Sequence, residues 1–214
     1  MKGELIYMSE LARRLNQCKK PSGMEGKTVA DEMNKSHFEL TGWGLDKVDI
    51  KENFIMLDVG CGGGKTINRL AGMVESGKVI GMDYSKDCVQ WSKEFNSDFI
   101  DEGKVEVYNS SAEELPFEDD KFDLVTAVET IYFWPNLSGC LKEIRRVLKP
   151  SGKLIIINEM YMDNDSRKEY EEYLGKMNIY APEQLRKIIA ESGYKNIKME
   201  IKEDRHWICY IAEN

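Results

Sequence analysis

The chain has 214 residues, too few for two ordinary domains of about 150 each, so one domain with an appendage is expected. Its 42% hydrophobic and 32% charged content is that of a core-forming chain and excludes a disordered one. With 30 basic against 38 acidic residues the formal net charge is -8, which argues against a non-specific nucleic-acid binder, since that needs a basic footprint.

In chain order, residues 1–50 read as a helical cap or lid, with Leu5, Met8, Leu11, Ala12 and Leu15 on one stripe and a break at Pro21-Ser22-Gly23. The first stretch is interrupted by Glu4, Glu10, Arg13 and Arg14, unlike the apolar run of a signal peptide. No run approaches the roughly 20 apolar residues that span a bilayer. From residue 51 to 214 a second region begins, with Phe54 to Val59 as a strand, Gly60 to Gly64 as a turn, and Ile67, Leu70, Ala71 and Val74 at helical spacing. The unit recurs as strand Lys78 to Asp83, a helix carrying Cys88, Trp91, Phe95 and Phe99, and strand Lys104 to Tyr108. Then come strand Phe122 to Val128, a helix carrying Leu137, Leu141, Ile144 and Leu148, and strand Lys153 to Asn158. Ser166-x-x-Glu169 has the form of a capping box, and a further helix is expected from Pro182 to about Ser192, stopped by Gly193. Ile197, Met199 and Ile201 alternate with charged residues, and a short turn at Glu203 to Arg205 forces Trp207 to Ala212 to run antiparallel to them. The sum is an α/β, Rossmann-like doubly wound sheet of seven strands, mostly parallel, with one antiparallel strand near the C-terminus.

Five scattered cysteines, 18, 61, 88, 140 and 209, form no C-x-x-C pair and no cluster with His37 or His206. They predict a reducing compartment, the cytoplasm by default, and no metal site.

The turn Asp58-Val59-Gly60-Cys61-Gly62-Gly63-Gly64-Lys65-Thr66 separates three chemistries by spacing. A phosphate-cradling P-loop would need Gly where Val59 stands, and a dinucleotide fingerprint would need Gly or Ala where Lys65 stands. Asp-x-Gly-x-Gly-x-Gly from Asp58 to Gly64 fits without exception and resembles motif I of the class I S-adenosylmethionine-dependent methyltransferases. The likeness extends over roughly residues 54 to 212: Asp83-Tyr84-Ser85 resembles that family's Asp-x-Ser after the second strand, and Ser110-Ser111-Ala112-Glu113-Glu114-Leu115-Pro116-Phe117 its adenine loop, with Ser111 where Asp is common. Asp123-Leu124-Val125 and the run Arg146 to Leu154 resemble its fourth strand and the approach to its fifth. The resemblance implies S-adenosylmethionine as cofactor, held by Asp58, Gly60, Cys61, Gly62, Asp83, Tyr84, Ser111 and Ala112. Asp83 is equally placed to accept from ribose hydroxyls or to cap the helix starting near Ser85.

On the acceptor side, Glu129 ends the fourth strand and is the candidate catalytic residue, as a base or an acceptor-orienting group, with a solvated acid or a cofactor contact as the alternatives. Tyr132, Phe133 and Trp134, or Tyr161, Tyr170, Tyr173 and Tyr180, could wall a pocket, and so could a lid containing His37 and Gly42-Trp43-Gly44; a turn between cap helices is the other reading of that segment. His206 reads as structural. The resemblance implies transfer of a methyl group to a small molecule, with quinone-pathway enzymes in the same broad group; the acidic charge and the absence of an Asn-Pro-Pro-Tyr motif argue against nucleic acid as partner, and no membrane span is expected. A nicotinamide oxidoreductase and a non-catalytic cofactor-binding regulator are the rival classes.

Overall fold

The structure, a computed structural model, describes residues 2–163, 170, 173 and 176–214, with side chains from residue 10 onward. The capping-box pattern at Ser166 lies outside the described residues. Helices α1 (Lys2–Lys19), α2 (Gly23–Ser36) and α3 (Phe38–Leu45) precede a sheet of β1 (Ile55–Val59), β2 (Lys78–Asp83), β3 (Val105–Asn109), β4 (Phe122–Val128), β5 (Leu148–Asn158), β6 (Lys195–Lys202) and β7 (Trp207–Glu213). Between the strands run α4 (Lys65–Ala71), α5 (Lys86–Phe95), α6 (Ser97–Asp101), α7 (Leu137–Val147) and α8 (Pro182–Glu191).

The strand order is β3-β2-β1-β4-β5-β7-β6, with only β7 antiparallel to its neighbours. The expected reversed strand is therefore present, and β6 on the edge carries Lys198, Glu200 and Lys202, charges that keep an edge from pairing further. The chain leaves β1 in one direction for β2 and β3, then crosses back to β4 on the other side, which makes the carboxyl end between β1 and β4 the switch point where such sheets bind ligands.

Side chains alternate between the two sheet faces. Leu57, Ile80, Val125 and Ile156 pack with Leu141, Ile144, Leu185 and Ile189 of α7 and α8. Met56, Val79, Leu124 and Ile155 pack with Ile67 and Leu70 of α4 and with Leu40 and Leu45 of α3. The first 50 residues are helical as expected, but α3 is core rather than cover. Gly44 permits this, because a Cβ there would stand 2.4 Å from Ile157 Cδ1. The segment read as a glycine-flanked lid or turn is thus a helix, and its Trp43 ring packs 5.9 Å from Trp207.

Two boundaries also moved. The helix expected to carry both Phe95 and Phe99 divides at Asn96, whose side chain donates to the Ser92 and Gly64 carbonyls at 2.9 and 3.1 Å. α7 ends at Val147, and Leu148 already pairs with Phe122, since Lys149 before Pro150 favours extended backbone.

Candidate functional site

β1 ends in a turn whose shape only glycine allows. Gly60 has φ +78, and its amide and that of Cys61 both donate to the Met82 carbonyl, at 2.8 and 3.0 Å. A Cβ on Gly60 would lie 2.2 Å from Thr130 Oγ1. Gly62 also has positive φ, +50, but nothing lies within 4 Å of where its Cβ would be. Its open side faces a cavity of about 300 Å³ at the carboxyl ends of β1, β2 and β4, the size and place expected of a small-molecule site.

All eight residues expected to hold the cofactor line this cavity, and so does Glu129. Asp58 is 2% exposed, and its only described side-chain bond comes from Thr126, whose hydroxyl donates at 2.5 Å. Burial pushes its carboxyl up to about 7; the Thr126 bond opposes the shift and the nearby Asp83 charge adds to it. Asp83 Oδ2 accepts from Gly62 N at 3.0 Å and Oδ1 from Ser85 N at 2.8 Å. Burial raises its pKa against these two bonds. The capping alternative for Asp83 is corrected here: the N-cap of α5 is Ser85, whose Oγ accepts from Cys88 N, and Asp83 instead ties the glycine turn to the start of that helix.

Tyr84 donates its hydroxyl to the Lys19 carbonyl, joining the site to the end of α1. The Cys61 thiol is buried, and that burial pushes its pKa well up, which makes it a packing group rather than a nucleophile. Ser111 Oγ accepts from Glu113 N at 3.2 Å, and Ala112 is buried beside it. Arg146 fixes the following loop by donating to the Leu115 and Phe117 carbonyls at 3.1 and 2.7 Å.

Glu129 lines the same cavity in a left-handed conformation, φ +55, that non-glycine residues rarely adopt. Its Oε1 accepts from the Tyr132 hydroxyl at 2.9 Å and from Glu159 N at 2.6 Å. Burial pushes its carboxyl up to about 7, with His37 opposing the shift and Glu159 adding to it. Phe133 and Trp134 line the cavity, whereas the Tyr132 ring is in the core and acts through its hydroxyl. Tyr161, Tyr170, Tyr173 and Tyr180 are not among the cavity's lining residues; Tyr161 stacks on His206 at 3.9 Å, in keeping with a structural role for that histidine. From the cap, Asn34, His37, Phe38 and Thr41 reach the cavity.

Sequence reasoning passed over Glu159 and Arg69. Glu159 follows β5 as Glu129 follows β4, and an acid just past a parallel strand was the signal available. Arg69 is one turn into α4; its guanidinium lies 3.9 Å from the Phe38 ring, and Nη1 is buried with no hydrogen-bond partner among the described residues.

A mostly parallel open sheet with a glycine turn and two buried acids at its switch point is an α/β fold of the Rossmann-like kind. Residues 57–156 match the sequence model of the family described as "Methyltransferase domain". The chain is 28% identical over 153 residues to Sterol 4-C-methyltransferase strm-1 of Caenorhabditis elegans, covering 72% of this chain and 44% of that protein. It is 39% identical over 111 residues to Demethylmenaquinone methyltransferase of Bacillus cereus (strain AH187), covering 51% of this chain and 46% of that one. The chain thus spans less than half the length of these two relatives. A SAM-dependent methyltransferase of Aquifex aeolicus superposes with a TM-score of 0.73 at 24% identity, over 87% of this chain and 97% of that one. Residues 57–156 therefore resemble a methyltransferase domain, and the fold is one that S-adenosylmethionine-dependent methyltransferases adopt.

The residues present fit this cofactor. The open face of Gly62 leaves room for its backbone-hugging part. Asp58, buried with no basic partner among the described residues, suits a cationic group, and the orphaned Arg69 Nη1 suits a carboxylate.

Proposed function

We propose that the chain transfers the methyl group of S-adenosylmethionine to a small-molecule acceptor. The observation that supports this most is that one cavity is lined both by the glycine turn with its two acids and by Glu129, Phe133 and Trp134. When bound, the cofactor supplies an electrophilic methyl on a sulfonium, so the protein's task is proximity and alignment. In this reading Asp58 and Arg69 hold the charged ends of the methionine part and Asp83 the ribose. Gly60, Cys61, Gly62 and Tyr84 shape that side of the cavity, and Ser111 and Ala112 border the base. Glu129 touches the acceptor and orients it, with Phe133 and Trp134 excluding water.

Of residues 1–50, α1 and α2 serve as the cap while α3 packs into the core, and 51–214 form the methyltransferase unit. Ser85 Oγ donating to the Pro21 carbonyl at 2.6 Å, and Gly23 N donating to Asp87 at 2.7 Å, hold the cap on the cofactor side. Among the described residues no helix is long and apolar enough to cross a membrane, and all five cysteines are free, in keeping with a cytoplasmic setting. The acidic net charge favours a small acceptor over nucleic acid.

The test is calorimetry with S-adenosylmethionine against NAD and NADP, followed by transfer of methyl-labelled cofactor to a panel of quinols, phenols and amines. Saturable S-adenosylmethionine binding with label transfer is expected. Preference for a nicotinamide dinucleotide would overturn the reading.

A further inference from the structure

We propose that His37, Glu129 and Glu159 form a divalent-cation site at the acceptor end of the cavity. His37 Nε2 stands 3.4 Å from Glu159 Oε1 and 4.0 Å from Glu129 Oε2, and one ligand atom from each of the three residues lies within 4.8 Å of the others. A charge-assisted N–H···O bond would draw such atoms to about 2.7 to 2.9 Å. Two ligands at about 2.1 Å from one ion stand about 3.0 to 4.2 Å apart, depending on the angle between them. Both separations fall in that range, and the shorter one is also within reach of a hydrogen bond from the imidazole to Glu159, so the three groups already converge on one point. Glu159, 40% exposed, is free to close the remaining gap.

Charge points the same way. The Glu129 side chain is 9% exposed, and no lysine or arginine among the described residues pairs with it or with Glu159. Two carboxylates facing one imidazole leave a negative excess, and buried charges are paired or bind metal. The surroundings also prepare Glu129 as a ligand. Tyr132 and the Glu159 amide occupy Oε1, which leaves Oε2 toward His37 without a hydrogen bond. Outer hydrogen bonds of this kind orient metal-binding carboxylates. The two acids follow neighbouring strands, with Val128 in register with Ile157, while the histidine comes from the cap.

One imidazole and two carboxylates suit Mn²⁺ or Zn²⁺ better than Ca²⁺, which prefers oxygen alone. Phe133 and Trp134 line the same cavity as His37 and Glu129. An acceptor hydroxyl bound to the ion there would lose its proton to water more readily, and its oxygen would then form the new bond to carbon as the sulfur–carbon bond breaks. That consequence rests on the methyl-transfer reading; the metal site does not.

The experiment strips the full chain with a chelator and titrates it with Mn²⁺ by electron paramagnetic resonance and with Zn²⁺ by calorimetry, in the absence of cofactor. One ion per chain is expected, bound at least tenfold more weakly by Glu129→Gln and by Glu159→Gln, with folding checked by circular dichroism. Should Glu129→Gln fail to fold, Glu159→Gln on its partly exposed side chain carries the same expectation. No saturable binding up to millimolar metal, or binding unchanged by the substitutions, would overturn the site. Because no cofactor is present, that result would leave the methyl-transfer reading untouched, just as failed S-adenosylmethionine binding would leave the metal site standing.

Discussion

Asp58→Asn isolates the electrostatic cost of the cofactor site. Asn keeps the shape and can still accept from Thr126, but it cannot ionise. In the folded chain the Asp58 carboxyl titrates at about 7 against a reference value of 3.8. A raised pKa means the folded state holds the proton more tightly, so this group's stabilisation is full below about 4 and is lost as pH rises through about 7. Between pH 5 and pH 8 the linkage amounts to about 2.5 kcal/mol. For a chain of this size that corresponds to about 5 to 10 °C in Tm. The assay is thermal unfolding of the cofactor-free wild type and variant at both pH values, scored as the difference between them. Glu129, raised for similar reasons, is present in both proteins and drops out. The variant should gain on the wild type as pH rises, while its S-adenosylmethionine affinity at pH 8 falls at least tenfold. A Tm difference that does not change with pH would refute the buried, unneutralised state assigned to Asp58.

Asp83→Asn should destabilise as well as weaken cofactor binding, because one amide oxygen cannot accept from both Gly62 N and Ser85 N. Losing one charge-assisted bond costs about 1.5 to 3 kcal/mol, read as a lower melting temperature and checked by calorimetry with the cofactor. A variant that melts like the wild type would show that the two amides do not depend on this carboxylate. Gly60→Ala and Gly62→Ala separate folding from binding. The first meets Thr130 at 2.2 Å and should fail to give soluble folded protein; the second meets open space and should fold, losing about 1 kcal/mol to its positive φ, yet bind the cofactor poorly. Equal affinity in Gly62→Ala would move the cofactor off this turn. Ser111→Asp should maintain or tighten cofactor affinity, since a charged oxygen is the stronger acceptor. A large loss in a folded variant would put the adenine elsewhere.

The fold was legible because strand and helix periods alternate cleanly from Phe54 onward, and the cofactor turn because only one of three glycine spacings fits. What stayed hidden was partnership. Asp83 and Ser85 are both good N-cap residues, and the choice fell to Ser85 because α5 begins at Lys86, leaving Asp83 free to reach Gly62 across the turn. Residues 38–45 contain two glycines, which local rules read as a break. Tertiary packing overrides that reading, since Gly42 lies against Arg69 and Gly44 against Ile157, and Leu40 and Leu45 supply the apolar contact. Glu159 carried no motif at all. Its meaning comes from β5 lying beside β4, a fact of sheet order that no local window contains.

The two ends of the cavity share one electrostatic feature. Asp58 at the cofactor end and Glu129 at the acceptor end are both pushed to about 7 by burial, and neither has a lysine or arginine partner among the described residues. Ionising either one in the empty cavity costs stability, so the fold alone gives no reason to keep two such acids. A cationic ligand reverses the sign, because it favours the ionised form and adds its binding energy to the folded state. A positively charged cofactor does this at Asp58, and a metal ion would do it at Glu129. Cofactor and metal should therefore raise Tm more at pH 8 than at pH 5, where protonation has already removed most of the charge they would balance. An upward shift of the same size at both pH values would show that the two acids are not what the ligands neutralise.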